Sequence, residues 1–292
     1  MFQTILVGYD GSENALHAAE SAARLAKLFG ARVILLNVFP YPYTLIPDGL
    51  FDQGEVALDA ETVARLARED LKVVEDVALP VFEKYGVACQ IVQEIGAPVE
   101  KILHAARKHR VDLIVVGSRG LSGWQQLLLG SVAGGVLQQH DFPVLVVRMQ
   151  RVEFRSLLLA TDGSANSVKA TETAFELADR LDVPLSVLYV KDTRKHWLAR
   201  KTEVTIDTGQ LQKTLEEELE RLRGNKEVLI HLRLREGNPA QEIVEFAAEN
   251  DKDLIIMGSR GLDPVRSLFL GSTSRAVVHH APCSVLVVPR EE

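Results

Sequence analysis

At 292 residues the chain is long enough for two domains of ordinary size, each with its own core. Its apolar fraction of 47% and charged fraction of 25% are globular values, and no apolar run reaches the length of a membrane span. A net charge of −7 gives no general attraction to nucleic acid or anionic lipid, so any phosphate binding must come from local dipoles and a few side chains. The two cysteines, Cys89 and Cys283, lie far apart without metal-ligand spacing. They argue for a reducing compartment, the cytoplasm, and against a disulfide frame or a zinc site. The opening MFQTILVGYDGS reads as a strand, not as a leader.

In chain order, Thr4–Gly8 is apolar and β-rich. Glu13–Phe29 is alanine-rich with apolar residues at Leu16, Ala19, Ala23 and Ala26, a helical stripe, and Gly30 supplies its C-terminal stop. Val33–Val38 reads as the second strand. Leu58–Tyr85 is a long amphipathic stretch, expected to kink or break near Pro80. Val87–Gln93, a helix from Pro98, Leu113–Gly117, a helix after Gly130 and Val144–Val147 complete the unit. Pro98 and its later counterpart Pro239 suit the first turn of a helix. The strands are continuous apolar runs, the signature of parallel strands covered on both faces. Each half therefore reads as a five-stranded, doubly wound parallel α/β domain. In such sheets ligands bind at the carboxyl ends of strands near a switch in strand order. Asp10, Val38 and Gly117 lie at such ends, as do Asp162, Val190 and Gly258.

The unit occurs twice. Tyr9-Asp10-Gly11-Ser12 matches Thr161-Asp162-Gly163-Ser164 at an offset of 152, as do Asn14 with Asn166 and Glu20 with Glu172. Gly96-x-Pro98 matches Gly237-x-Pro239 at an offset of 141, and Val144–Val147 matches Val285–Val288 at that same offset. The second copy is thus eleven residues shorter between its Asp and its Gly-x-Pro. The boundary falls near Arg148–Glu153, giving domains 1–150 and 151–292. So short a linker predicts that the two pack against each other.

One motif carries chemistry. Gly117-x2-Gly120-x9-Gly130-Ser131 recurs as Gly258-x2-Gly261-x9-Gly271-Ser272, each after an apolar strand and before a helical stretch. Glycines there let the loop approach a ligand closely. The following helix start offers N–H groups without internal partners, which favour a phosphate chain. A bland alternative stands beside this: the glycines make a turn and Ser131 and Ser272 cap a helix. Asp-Gly-Ser likewise reads either as a ligand contact or as a turn and helix start. Arg119 and Arg260 fit phosphate contacts and solvated positions equally. The pattern is neither a Walker loop, lacking Gly-Lys-Ser/Thr, nor a Gly-x-Gly-x-x-Gly fingerprint. No catalytic constellation is legible at the cradle.

Val-Gly-Tyr-Asp-Gly-Ser near the start, Gly-x2-Gly-x9-Gly-Ser late and a closing Val-Leu-Val-Val strand together resemble the universal stress protein family, over both halves. The resemblance implies a tandem member of the ATP-binding branch, with Rossmann-like, adenine nucleotide alpha-hydrolase-like domains. It implies that Asp10 and Asp162 contact the nucleoside, and that Val38 and Val190 meet adenine through backbone bonds. Val116 and Met257 would line the adenine pocket. Gly117, Gly120, Gly130 and Ser131 would hold ribose and phosphates in one half, and Gly258, Gly261, Gly271 and Ser272 in the other. Mg2+ would be bound through the phosphates. The family's further hydroxyl is present as Ser274 but replaced by Ala133 in the first half, which predicts tighter ATP binding in the second. The family dimerises through its last strand, so Val144–Val147 and Val285–Val288 are expected to pair within one molecule, with a homodimer as a further possibility.

Other features have quieter readings. His279-His280 suits a helix C-terminus more than a metal site. Glu216–Arg223 reads as a solvated helix face. Residues 191–201 concentrate positive charge around Trp197 and read as a solvated loop, or else as a phosphate lid or a dock for an acidic partner. The equivalent residues 39–47 are apolar and aromatic. Three functions stay open: an ATP-binding stress or signalling module, a slow Mg2+-dependent ATPase or phosphotransferase, and a nucleotide-free scaffold. The intact glycine patterns and the missing lysine favour the first. DNA and membrane partners are not expected, and no protein partner is specified.

Overall fold

The computed structural model describes residues 1–40, 60–119, 129–139, 141–148, 153–193, 208–260 and 270–290. The first half runs β1 (Thr4–Tyr9), α1 (Glu13–Phe29), β2 (Arg32–Phe39), α2 (Ala60–Tyr85), β3 (Cys89–Ile95), α3 (Pro98–His109), β4 (Leu113–Gly117), α4 (Ser131–Leu137) and β5 (Val144–Val147). The second runs β6 (Leu157–Thr161), α5 (Val168–Leu181), β7 (Leu185–Asp192), α6 (Thr208–Arg223), β8 (Ile230–Gly237), α7 (Pro239–Glu249), β9 (Leu254–Gly258), α8 (Ser272–His280) and β10 (Ser284–Val288). A short 3-10 turn, Ala165–Ser167, precedes α5. Among the described residues no helix is long and apolar enough to cross a membrane.

All these strands form one sheet in the order β3-β2-β1-β4-β5-β10-β9-β6-β7-β8. Within each half the neighbours are parallel, and the sequence order 3-2-1-4-5 is the doubly wound pattern. The halves meet at an antiparallel seam, with Val144 opposite Val287, Leu145 opposite Leu286 and Val146 opposite Val285. The expected internal pairing is present. It follows from composition: β5 and residues 285–288 of β10 are apolar and buried on both faces, and either left alone would be an open apolar edge.

Strand alternation sends Ile5, Val7 and Leu145 to one face of the sheet and Leu6, Val144 and Val146 to the other. The first face is covered by α1, α2, α5 and α6, the second by α3, α4, α7 and α8. Each of the two cores takes residues from both halves, so the hydrophobic interior is divided by face and not by repeat. Alanines 15, 18, 19, 22, 23 and 26 form the buried stripe of α1 and let that helix sit close to the strands.

Local signals account for the helix ends. Ser12 Oγ accepts from the Ala15 N–H at 3.1 Å and caps α1. Gly30 ends α1 with a left-handed φ of 66°, and Pro98 and Pro239 stand in the first turns of α3 and α7. The expected break at Pro80 does not occur: α2 is continuous from Ala60 to Tyr85. Pro80 lies on the exposed side, while Val74, Ala78 and Phe82 on the inner side are all buried. Burial of that stripe offsets the missing N–H bond. The third strand begins at Cys89 and not at Val87. The Val87 N–H is already spent on the Phe82 carbonyl at 3.0 Å, and the Gly86 N–H on Glu83, closing the end of α2.

Candidate functional site

The strand order reverses between β1 and β4, the place at which doubly wound sheets bind ligands, at the carboxyl ends of the strands. Asp10-Gly11-Ser12 follows β1. An Asp10 carboxylate oxygen accepts the Ser12 N–H at 3.1 Å, and Asp10 is exposed. Gly117 ends β4 against the start of α1. A Cβ at Gly117 would stand 2.8 Å from the carbonyl carbon of Asn14 and 2.9 Å from its oxygen. Ser118 then donates its N–H to the Val147 carbonyl at 2.9 Å, and its own carbonyl accepts from Gly130 N–H at 2.8 Å. The loop is thus pinched shut at its base. A Cβ at Gly130 would come within 3.2 Å of Arg119 Cα. Gly130 has an ordinary φ of −61°, so this glycine serves close approach and not an unusual backbone conformation.

Gly130 is the N-cap of α4, and no side chain caps that helix. Ser131 stands one position inside and is exposed, so the reading of Ser131 as a capping residue fails. The first-turn N–H groups of α4 remain without an intrahelical acceptor. The second half repeats the construction. Ser259 N–H donates to Val288 at 2.8 Å and Gly271 N–H to Ser259 at 2.9 Å. A Cβ at Gly258 would meet the Asn166 carbonyl oxygen at 3.3 Å. Gly271 is the N-cap of α8, again without a side-chain cap, and Ser272 is exposed at the first helical position.

The copies also differ. Asp162 accepts from both the N–H and the hydroxyl of Ser164, at 3.1 and 2.6 Å. Ser164 therefore heads a 3-10 turn and caps no α-helix directly. Ser274 Oγ is buried and donates to the Gly258 carbonyl at 2.8 Å, so its proton braces the cradle from within. Ala133 gives the first half no such brace. Arg119 and Arg260 are both half-buried, which removes the fully solvated reading.

Val38 and Val190 sit where their neighbours end. The last register pairs toward β1 and β6 are Tyr9–Asn37 and Thr161–Tyr189, so each valine extends one residue beyond. Val33 and Leu185 bond with their N–H groups toward β3 and β8. Peptide groups alternate along a strand, so those of Val38 and Val190 face the vacated side. Val116 and Met257 are core residues beneath α3, α4, α7 and α8. Gly120 and Gly261 lie outside the described residues, as do residues 41–47 of the apolar loop and 194–201 of the basic one. Of the latter, Lys191 pairs with Glu236 at 3.0 Å. Because the seam is antiparallel, the carboxyl ends of the two half-sheets point opposite ways, and the two cradles open on opposite edges.

Among the described residues no group of three or more His, Cys, Asp or Glu is placed to hold a metal ion. His279 lies in the last turn of α8, and burial, with His280, Arg148 and Arg275 nearby, holds its pKa below the ordinary imidazole value. Burial pushes the Cys89 thiol up to about 11 and the Cys283 thiol up to about 12, which disfavours the thiolate at both. Sequence reasoning assigned no role to Ser118 and Ser259, which close the loops, or to Asn14 and Asn166, which wall the glycines. Asn14 and Asn166 do share the repeat offset, and the two serines recur within Gly-Ser-Arg-Gly-Leu. That recurrence was the available signal.

A doubly wound half-sheet with a pinched glycine loop over a helix start, built twice and joined at the last strand, defines a class of tandem α/β proteins. The sequence model of the universal stress protein family matches residues 1–148 and 153–289, and the chain belongs to that family. A universal stress protein of Mycolicibacterium smegmatis is 29% identical, covering 97% of this chain and 96% of its own length. One of Mycobacterium tuberculosis is 30% identical over 98% of this chain and 96% of its own. The crystal structure of a universal stress protein from Archaeoglobus fulgidus superposes with a TM-score of 0.70 at 25% identity, covering 99% of this chain and 98% of that one.

Proposed function

We propose that this universal stress protein binds an adenine nucleotide, ATP, in each half, and acts in the cytoplasm as a stress-response or signalling module that binds and does not rapidly hydrolyse it. The observation that carries the reading is the cradle built twice with the same bonds. In each copy a loop is closed by a glycine N–H on a buried serine carbonyl, ahead of a helix whose N-terminus no side chain caps. Such a helix start fits the charge and the acceptor oxygens of a phosphate chain.

In this reading Gly117, Gly120, Gly130 and Ser131, with Gly258, Gly261, Gly271 and Ser272, hold ribose and phosphates. Val38 and Val190 present their backbone groups to the adenine edge. Val116 and Met257 shape the floor of its pocket from the core. Asp10 and Asp162, at the ends of β1 and β6, contact the nucleoside. Mg2+ enters with the phosphates and is held by them. Occupancy acts on partners if ATP binds two conformations of the protein with different affinity.

Thermal denaturation with and without millimolar ATP and Mg2+ tests the proposal. Binding stabilises the folded state with the logarithm of ligand concentration over Kd and so raises Tm. An unchanged Tm contradicts it. Steady-state phosphate release well above background moves the reading to an ATPase.

A further inference from the structure

Among the described residues, the side chains of Arg24 and Arg148 in the first half make polar contacts with the second. Arg24 meets Glu153 at 2.8 Å, but both are substantially exposed, and such a pair contributes little. Arg148 is built differently. It follows β5 directly, and its side chain crosses the seam. Its Nη2 donates to the carbonyls of Val278 and His279 at 2.6 and 2.7 Å, and its N–H donates to the buried Ser284 Oγ at 3.1 Å. Those carbonyls belong to the last turns of α8, where a helix leaves acceptors unpaired and a cation suits the dipole.

The opposite end of α8 is Gly271-Ser272, the second cradle. The residue before Arg148, Val147, accepts the Ser118 N–H at the base of the first cradle. One stretch of backbone therefore touches the first cradle and clamps the helix of the second. The position matching Arg148 in the second copy is Pro289, which has no guanidinium.

We infer that Arg148, a residue of the first half, is a positioning residue for the second cradle, fixing α8 from its far end so that its N-terminus stays aligned for an anion. The inference rests on the nucleotide reading. α8 has nine residues and is about 13 Å long, a rod short enough for a shift at one end to be felt at the other. Its near end is fixed by Gly271 on Ser259, and its far end by Arg148.

Calorimetric titration of the full chain with ATP tests this in two backgrounds. Gly130→Asp leaves the second cradle to be read, and Gly271→Asp leaves the first. Arg148→Met, which keeps the apolar stem and removes the donors, is expected to weaken the second cradle by about fivefold or more and the first by less than about twofold. Arg148→Lys, which keeps a cation on the carbonyls, recovers most of the loss. A general loosening of the fold lowers both sites alike, and that result, or no loss at either, overturns the inference. If neither parent background binds ATP, the nucleotide reading itself fails. Binding that ignores Arg148→Met defeats the positioning role alone.

Discussion

The hydroxyl of Ser274 donates to the carbonyl oxygen of Gly258 at 2.8 Å, out of contact with solvent. This bond ties the first turn of α8 to the end of β9 and closes the second cradle on itself. The first cradle carries Ala133 at the matching position. The difference between the two sites is thus one of bracing, in addition to any contact the hydroxyl makes with a ligand. Ser274→Ala leaves a buried carbonyl without its donor and is expected to cost about 1–3 kcal/mol. Denaturant unfolding measures it, and an unchanged midpoint contradicts the bracing role.

The same asymmetry predicts that Gly271→Asp removes more ATP binding than Gly130→Asp. An aspartate at an N-cap places its carboxylate where the phosphate would sit; its Cβ also comes to 3.2 Å from backbone at either position, so a thermal melt of each variant accompanies the titration to separate binding from folding. Calorimetry on both variants decides, and a larger loss from Gly130→Asp contradicts the ordering.

Gly117 and Gly134 lie in the same half but answer oppositely to alanine. A Cβ at Gly117 would overlap the Asn14 backbone at 2.8 Å, whereas one at Gly134 meets only Leu129 Cδ2 at 3.7 Å. Gly117→Ala is expected to destabilise by about 1–3 kcal/mol. Gly134→Ala, inside α4, stabilises by about 0.4–1 kcal/mol. Thermal melts give both signs.

Both cores span the seam, and Leu145 and Leu286 face each other across it, both almost wholly buried. The halves are therefore expected to unfold together, in one calorimetric transition. Leu286→Ala, costing about 2–5 kcal/mol, lowers that single transition and does not split it. Two resolved transitions in the wild-type protein contradict the shared core.

His279 gives a pH dependence with a definite sign. Its pKa in the folded protein lies below the ordinary 6.5, through burial first and then His280, Arg148 and Arg275. A depressed histidine means that the unfolded chain binds the proton more readily. The corresponding stability is complete above pH 6.5 and is lost as pH falls from there through the lower folded value. His279→Gln should flatten that part of the Tm profile. A profile of unchanged slope contradicts the assignment.

The fold was legible because each of its signals was local and repeated. The bounds of α1, β4 and β5 were readable from an alanine stripe, Gly30 and wholly apolar runs. The sheet seam was readable because two apolar strands each needed a partner. Pro80 does not break α2, because the rule about proline says nothing of which side of the helix faces water. The glycine loops were legible as cradles, but Gly117 and Gly258 owe their lack of a side chain at least partly to Asn14 and Asn166. That packing is a tertiary fact no spacing reveals. Arg148 was invisible for the same reason. Its acceptors lie about 130 residues away across the antiparallel seam, with no matching residue in the repeat.

Both cradles are expected to hold an adenine nucleotide. The most direct measurement is mass spectrometry, with stoichiometry, of whatever is released when freshly purified protein is denatured. ATP is the expected release, two per chain, or one where the less braced first cradle empties during purification. A chain that releases no nucleotide and shows no thermal shift with millimolar ATP contradicts it and leaves a nucleotide-free scaffold.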